Sequence, residues 1–168
     1  MQKKLAGGKD IMNKEQLGQL IIASEDTLYH VAKTLLSDDA DCADAIQETI
    51  VKAFTKLHTL RQDSYAKTWL VKILINECYS LMRGKKRIVS LEEYQYPETA
   101  GEEADYSDLY EAIRQLPTEI RICIILYYLE GYSVKETAKI LDITESAVKN
   151  RLARARSRMR SELQQAAT

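Results

Sequence analysis

Between Lys149 and Arg160 the sequence KNRLARARSRMR carries six cations and no acid. A run of this kind can hold phosphate oxygens, because each cation displaces counterions from a polyanion. A second grouping, Tyr65, Trp69, Lys72, Asn76, Tyr79 and Arg83, interleaves rings with cations and an amide. Unpaired bases stack on such rings at about 1–3 kcal/mol each while the cations track the backbone, and a flipped base needs such a surface. A third grouping, Asp41, Asp44, Gln47 and Glu48 beside Val51, forms an acidic strip with an apolar residue. It suits a basic, partly apolar protein surface rather than DNA.

Catalytic chemistry has no comparable support. His30 and His58 stand alone, and there is no Ser/His/Asp grouping, P-loop or dinucleotide fingerprint. Cys42, Cys78 and Cys123 are far apart with no CxxC, and each falls within an apolar helical pattern, so they read as buried reduced thiols. No catalytic residue, cofactor or metal site is expected, and the chain is not read as an enzyme.

The elements that position these groups are helical. Hydrophobic residues make up 45% and charged residues 29% of the 168 residues, values of an ordinary globular protein, which leaves neither a disordered chain nor a membrane span. The N-terminal MQKKLAGGKDIMNKEQ lacks a secretory h-region, so a cytoplasmic location is expected. Pro occurs only at 97 and 117, and period-two alternation is absent, so the spacing predicts an all-α chain with helices near 14–36, 39–58, 64–86, 106–115, 118–129, 133–141 and 144–163. IRICIILYYL (120–129) is also compatible with a buried strand, but Leu116-Pro117-Thr118 as a start and Glu130-Gly131 as a stop favour helix.

The net charge of -1 conceals an asymmetry, since no Lys or Arg occurs between Val89 and Ile113. SLEEYQYPETAGEEAD (90–105) has Pro, Gly and clustered Glu without an apolar stripe, as a solvated linker does. The expected layout is an extension over 1–13, a first helical domain over 14–88, an acidic linker over 89–105 and a second domain over 106–168.

In the second domain Ser133 with Glu136 makes a capping box, Val134, Ala138 and Leu141 share one face of a short helix, and Thr144 caps a longer one with Glu145 in its first turn. Short helix, tight turn and long basic helix form a DNA-reading helix-turn-helix. On the last helix Val148, Leu152, Ala155 and Met159 face inward; Ser146, Asn150, Ala153 and Ser157 face outward. Lys149, Arg156 and Arg160 flank that outer ridge on one side, and Arg151, Arg154 and Arg158 on the other. Short side chains allow close approach to bases while cations reach phosphates on both walls of a major groove.

In the first domain, Ala43, Ile46, Ile50, Ala53 and Leu57 recur at helical spacing and predict a buried stripe, with the acidic strip on the reverse face. The next helix buries Leu70, Ile73, Leu74 and Leu81; these aliphatics supply its core face and free Tyr65, Lys72, Asn76, Tyr79 and Arg83, with Trp69 at the border, for binding. Lys85, Lys86 and Arg87 continue the positive charge.

The stretch LPTEIRICIILYYLEGYSVKETAKILDITESAVKNRLARARSRMR resembles region 4 of the sigma-70 family, whose form is LP, a helix containing Arg, EG-S--EIA--LGI, then a TVKSRL-RAR-type helix. Asp142 stands where the family usually has Gly, and Asp tolerates a left-handed turn better than most residues. DCADAIQETIVKAF is similar to the region 2.2 pattern DA-D--QE-F-KA-, with Ile50 where an aromatic is common. Trp69-Leu70, Asn76 and Arg83 match F-R-WL--IA-N---D-LR of regions 2.3 and 2.4, with Ala66 and Ser80 departing from its Phe and Asp.

The resemblance implies a region 2-like bundle of three to four helices and a region 4-like helix-turn-helix, the two-domain layout of the extracytoplasmic-function group. It implies that Asp41, Asp44, Gln47 and Glu48 dock on the beta-prime clamp of core RNA polymerase, with further contacts to the beta subunit. It assigns Tyr65, Trp69, Lys72, Asn76, Tyr79 and Arg83 to the melted minus-ten strand. Thr144, Glu145, Ser146, Lys149, Asn150, Arg151 and Arg154 would read the minus-thirty-five duplex. An inhibitory partner, usually a membrane-linked anti-sigma factor, is implied as well, and a free chain that is monomeric. Read without the resemblance, the helix-turn-helix also fits a stand-alone regulator with an N-terminal dimerisation or sensor domain.

Overall fold

The computed structural model describes residues 11–88 and 112–167. The first ten residues, the acidic linker and residues 106–111 of the expected fourth helix lie outside the described residues, as do the side chains of Lys85, Lys86 and Arg87. No helix among the described residues is long and apolar enough to cross a membrane.

Helix α1 (Lys14–Ala23) starts at Asn13, whose side chain accepts from the Gln16 N–H while the Gln16 side chain accepts from the Asn13 N–H. This reciprocal pair satisfies two otherwise orphaned donors. The single helix expected over 14–36 is divided: buried Ser24 leaves helical geometry, and α2 runs Glu25–Leu35. Leu17, Leu28, Val31 and Leu35 keep one apolar stripe across the break, so periodicity does not register it.

Helix α3 (Asp39–Thr55) is capped by Asp38, which accepts from the Ala40 and Asp41 N–H groups. Its buried stripe is Cys42, Ala45, Thr49 and Ala53, with Ile46 and Ile50 half-buried. Ala43, expected inside, faces solvent. The stripe is rotated because Thr49 can be buried: its hydroxyl donates to the Ala45 carbonyl at 2.6 Å, leaving no polar atom unmatched. Two short 3-10 turns, Leu57–Thr59 and Asp63–Tyr65, lead to α4 (Ala66–Ile88). Lys52 and Glu77 pair between α3 and α4.

In the second half, residues 112–114 are helical and α5 (Thr118–Ile124) follows Pro117. It continues without strand character as a π-helical turn, Ile125–Leu129, in which the Glu130 N–H donates to the Ile125 carbonyl five residues back. Gly131 (φ 74°) ends the turn in the left-handed region. Helix α6 (Val134–Leu141) has the expected capping box of Ser133 and Glu136. Asp142 takes the left-handed conformation at φ 55°, ψ 46° that closes α6, and Thr144 caps α7 (Glu145–Ala166) by accepting from the Ala147 N–H.

The halves do not have separate interiors. One core cluster joins Leu17, Leu28, Val31, Leu70, Val71, Leu74, Ile75 and Cys78 to Ile122, Ile125, Leu126, Tyr132 and Ile140. A second, internal to the helix-turn-helix, gathers Leu116, Ile120, Cys123, Ile124, Ala138, Val148, Leu152 and Ala155. The α5 segment and its π turn are apolar on both sides because both are buried, one against α2 and one against α7. Helix α6 is shared in the same way, with Ile140 against the first half and Ala138 against α7.

Candidate nucleic-acid interfaces

The α7 face follows the helical wheel. Val148, Leu152 and Ala155 are buried with Met159 half-buried, so packing fixes which side turns outward. Thr144, Glu145, Ser146, Lys149, Asn150, Ala153, Arg154 and Ser157 are all exposed on that outer side, as are Arg156, Arg158 and Arg160. Arg151 is set apart from them: its side chain is 26% exposed and lies 3.8 Å from Glu119 at the start of α5. Arg156 donates to the Tyr128 hydroxyl at 3.0 Å. The result is a small-residue ridge between long cations, on a helix capped by Thr144 and oriented by a buried seam.

The α4 face is less open than its sequence suggests. Asn76 and Arg83 are exposed, Tyr65 is 43% exposed and Lys72 is half-buried. Trp69 and Tyr79, expected to be freed by the aliphatic face, are half-buried and pack against the shared core. The physical reason is that α4 has two covered sides, one buried by α2 and α3 and another by α6. Burial pushes the Tyr79 phenol up from its usual value, the Glu119 carboxylate adds to the rise and Arg151 opposes it.

The acidic strip lies where the α3 wheel puts it. Asp44, Gln47 and Glu48 are exposed, Asp41 is half-buried, and Val51 beside them is 58% exposed. An aliphatic side chain left in water next to carboxylates is a surface that gains from being covered by an apolar and cationic partner.

The thiols are structural in character. Cys42, Cys78 and Cys123 are free and buried, and burial pushes the first two up to about 11 and about 12. Among the described residues no group of His, Cys, Asp and Glu could hold a metal ion.

The seam between the halves contains polar groups that sequence reasoning missed. Thr27 on α2 donates to the Glu130 carboxylate at 2.9 Å, and His30 Nδ1 lies 3.6 Å from the other oxygen. The Glu130 side chain is only 10% exposed. Lys139 on α6 lies 4.6 Å from the centre of the Tyr65 ring and 3.5 Å from its hydroxyl. The all-round apolar character of residues 120–129 was the available signal, since a segment of a small domain buried on every side needs a second body against it.

Comparison with known proteins assigns both halves. The family model described as Sigma-70 region 2 matches residues 20–88, and Sigma-70, region 4, matches residues 106–159. The ECF RNA polymerase sigma factor SigM of Mycobacterium tuberculosis is 32% identical over 136 residues, covering 79% of this chain and 69% of the relative. The chain belongs to the sigma-70 family, in its extracytoplasmic-function group.

This sigma factor is also 29% identical over 160 residues to RNA polymerase sigma factor SigV of Bacillus subtilis, covering 90% of this chain and 96% of the relative. The sigma factor RpoE from Bartonella quintana, solved in complex with the anti-sigma factor NepR, superposes with a TM-score of 0.75. It is 30% identical, and the match covers 89% of this chain and 98% of that one. In this sigma factor the region 2 match contains the acidic strip and α4, and the region 4 match contains the helix-turn-helix through Met159. Its function is promoter recognition as an RNA polymerase sigma factor.

Proposed function

We propose that this sigma factor divides the work of initiation between its two nucleic-acid faces and the acidic strip, with polymerase performing all bond chemistry. The ridge of α7 enters the major groove of the minus-thirty-five element. Thr144, Glu145, Ser146, Lys149 and Asn150 meet base edges and adjacent phosphates, and Arg154 reaches a groove wall. Arg151 joins them by exchanging Glu119 for a phosphate.

Helix α4 takes the minus-ten element as a single strand. Tyr65, Trp69 and Tyr79 offer rings, Asn76 reads a base edge, and Lys72 and Arg83 hold the backbone. Captured bases offset the stacking lost on opening, so strand separation needs no nucleotide hydrolysis by this chain. Asp41, Asp44, Gln47 and Glu48, with Val51, dock on the beta-prime clamp, and further contacts reach the beta subunit. The acidic linker over 89–105 joins a region 2 domain over 14–88 to a region 4 domain over 106–168 and follows a path through polymerase near the channel that nascent RNA later enters.

The observation that carries this reading is the exposed α7 ridge, cationic on its flanks and free of packing contacts along its centre. An anti-sigma factor is the proposed inhibitor, by analogy with the relative solved with NepR, and the family resemblance suggests that it is membrane-linked. A cytoplasmic, monomeric free state, in which the chain acts without catalytic groups or cofactors of its own, is part of the same proposal. Run-off transcription with core polymerase and a promoter library tests it. Transcripts should start from a defined subset of promoters only when the chain is added; tight duplex binding at a symmetric site with no polymerase-dependent transcript would favour a stand-alone regulator.

A further inference from the structure

We infer that Tyr128 is a positioning residue for duplex recognition: its hydroxyl, aimed by the π turn, accepts from Arg156 and fixes that guanidinium on one flank of the α7 ridge, ready for a DNA phosphate. The inference rests on the reading of α7 as the duplex-binding element and adds to it a residue outside α6 and α7.

The π turn is what places the ring. In a regular helix consecutive side chains diverge and do not face each other. Here the rings of Tyr127 and Tyr128 meet edge to face, with centroids 4.9 Å apart and planes at 87°. Tyr127 is half-buried against the internal cluster of the helix-turn-helix, so its ring stands as a fixed wall behind Tyr128. The wider turn re-aims the residues within it, a device that recurs at functional sites. Tyr128 itself is 51% exposed, too open for a core role, and its hydroxyl meets Arg156 at 3.0 Å.

Arg156 is exposed and shares its flank of the ridge with Lys149 and Arg160. A long side chain that is free in solution loses rotamer freedom when it binds, and one already held loses less. The guanidinium carries five N–H donors in a planar fork, so a bond to the phenol leaves others for a phosphate.

Arg151, on the opposite flank, provides the contrast. It lies 3.8 Å from Glu119, a carboxylate that offsets its charge and has to be exchanged before a phosphate can take its place. Tyr128 orders Arg156 without offsetting the charge, so the incoming phosphate has nothing to displace. Because α5 packs across the buried side of α7, its start reaches one flank of the ridge and its π turn reaches the other.

The test titrates the full chain into a fluorescein-labelled, random-sequence DNA duplex, read by anisotropy across a potassium chloride series. Wild type, Tyr128→Phe, Arg156→Ala and the double variant are compared. Tyr128→Phe keeps the ring and removes only the hydroxyl of an exposed side chain, so the melting temperature should not move. Its duplex affinity should fall about three- to tenfold, the weakening expected from having to order one long side chain on binding. Arg156→Ala should lower the slope of log affinity against log salt by about 0.9, the value of one phosphate contact. The slope of Tyr128→Phe should fall by no more than that, since the cation stays. Added to Arg156→Ala, Tyr128→Phe should cost nothing further.

Unchanged affinity in Tyr128→Phe overturns the inference. So does an equal loss with and without Arg156, which would mean that Tyr128 acts through the fold or through a contact of its own. A salt slope that Arg156→Ala leaves intact, or that Tyr128→Phe lowers further than Arg156→Ala does, overturns it as well. A wild-type chain that binds no duplex at low salt, or supports no run-off transcript with core polymerase, strikes the reading of α7 itself, so the two failures are distinguishable.

Discussion

Lys139, on the first helix of the helix-turn-helix, lies with its ammonium 4.6 Å from the centre of the Tyr65 ring at the head of α4. These residues are 74 positions apart and belong to opposite halves, yet the cation occupies the surface on which a base would stack. An exposed cation–π contact of this kind contributes about 0.5–1 kcal/mol. Lys139→Ala should therefore raise single-strand affinity of the free chain about two- to fivefold, the range that energy corresponds to. In a Tyr65→Leu background the same change should have no effect, which fluorescence anisotropy over the four-member cycle checks.

The acidic strip makes the complementary prediction. Reversing charge with Asp44→Lys and Glu48→Lys should abolish capture by core polymerase in a pull-down, because two attractive contacts become repulsive at once. Both side chains are exposed, so helicity and duplex binding by α7 should be unaffected.

Two local devices hold the helix-turn-helix in register. Ser133→Ala removes one arm of the α6 capping box and should cost about 1 kcal/mol. Asp142→Val forces a β-branched residue to φ 55° and should cost about 1–2 kcal/mol, whereas Asp142→Gly should be neutral or stabilising. Thermal unfolding of the three variants provides the comparison.

The buried thiols predict an alkaline limit. Burial pushes Cys42 up to about 11 and Cys78 up to about 12, against 9.0 for a free thiol. A folded-state value above the unfolded one means that stability is fully present below the unfolded value and is lost as pH rises toward the folded one. The urea midpoint should hold its level below pH 9.0 on this account and fall above it, with a shallower fall in Cys42→Ala and Cys78→Ala. Iodoacetamide at neutral pH should leave all three thiols unmodified until urea is added.

Much of the fold is written in local signals. Ser133 with Glu136, Asp142 at the left-handed position and Thr144 before α7 mark their boundaries through side-chain chemistry that acts within a few residues. The α7 wheel was legible for the same reason, because Val148, Leu152 and Ala155 differ so sharply from the ridge opposite. Three features were not. The break at Ser24 preserves the apolar stripe on both sides; the α3 stripe centres on Thr49, whose burial depends on a bond to its own helix; and the π turn has no composition of its own.

The α4 face shows the larger difficulty. Aliphatics already supply one core face of α4, which in sequence leaves Tyr79, with Trp69 at the border, free for binding, but helical spacing counts apolar stripes without revealing how many bodies pack on a helix. The second body here is α6, which begins more than fifty residues beyond Tyr79 in the chain and buries Ile140 against the first half. Glu130 and Thr27 are invisible to pattern for the same reason, since neither has a distinctive neighbour in sequence.

Capture of the opened minus-ten strand by α4 is read out by permanganate footprinting of a selected promoter with reconstituted polymerase. Wild type should make thymines near the start site reactive, and Asn76→Ala and Tyr79→Ala should each lose that reactivity while still co-purifying with core polymerase. Full thymine reactivity in both variants would contradict the assignment of strand capture to this helix.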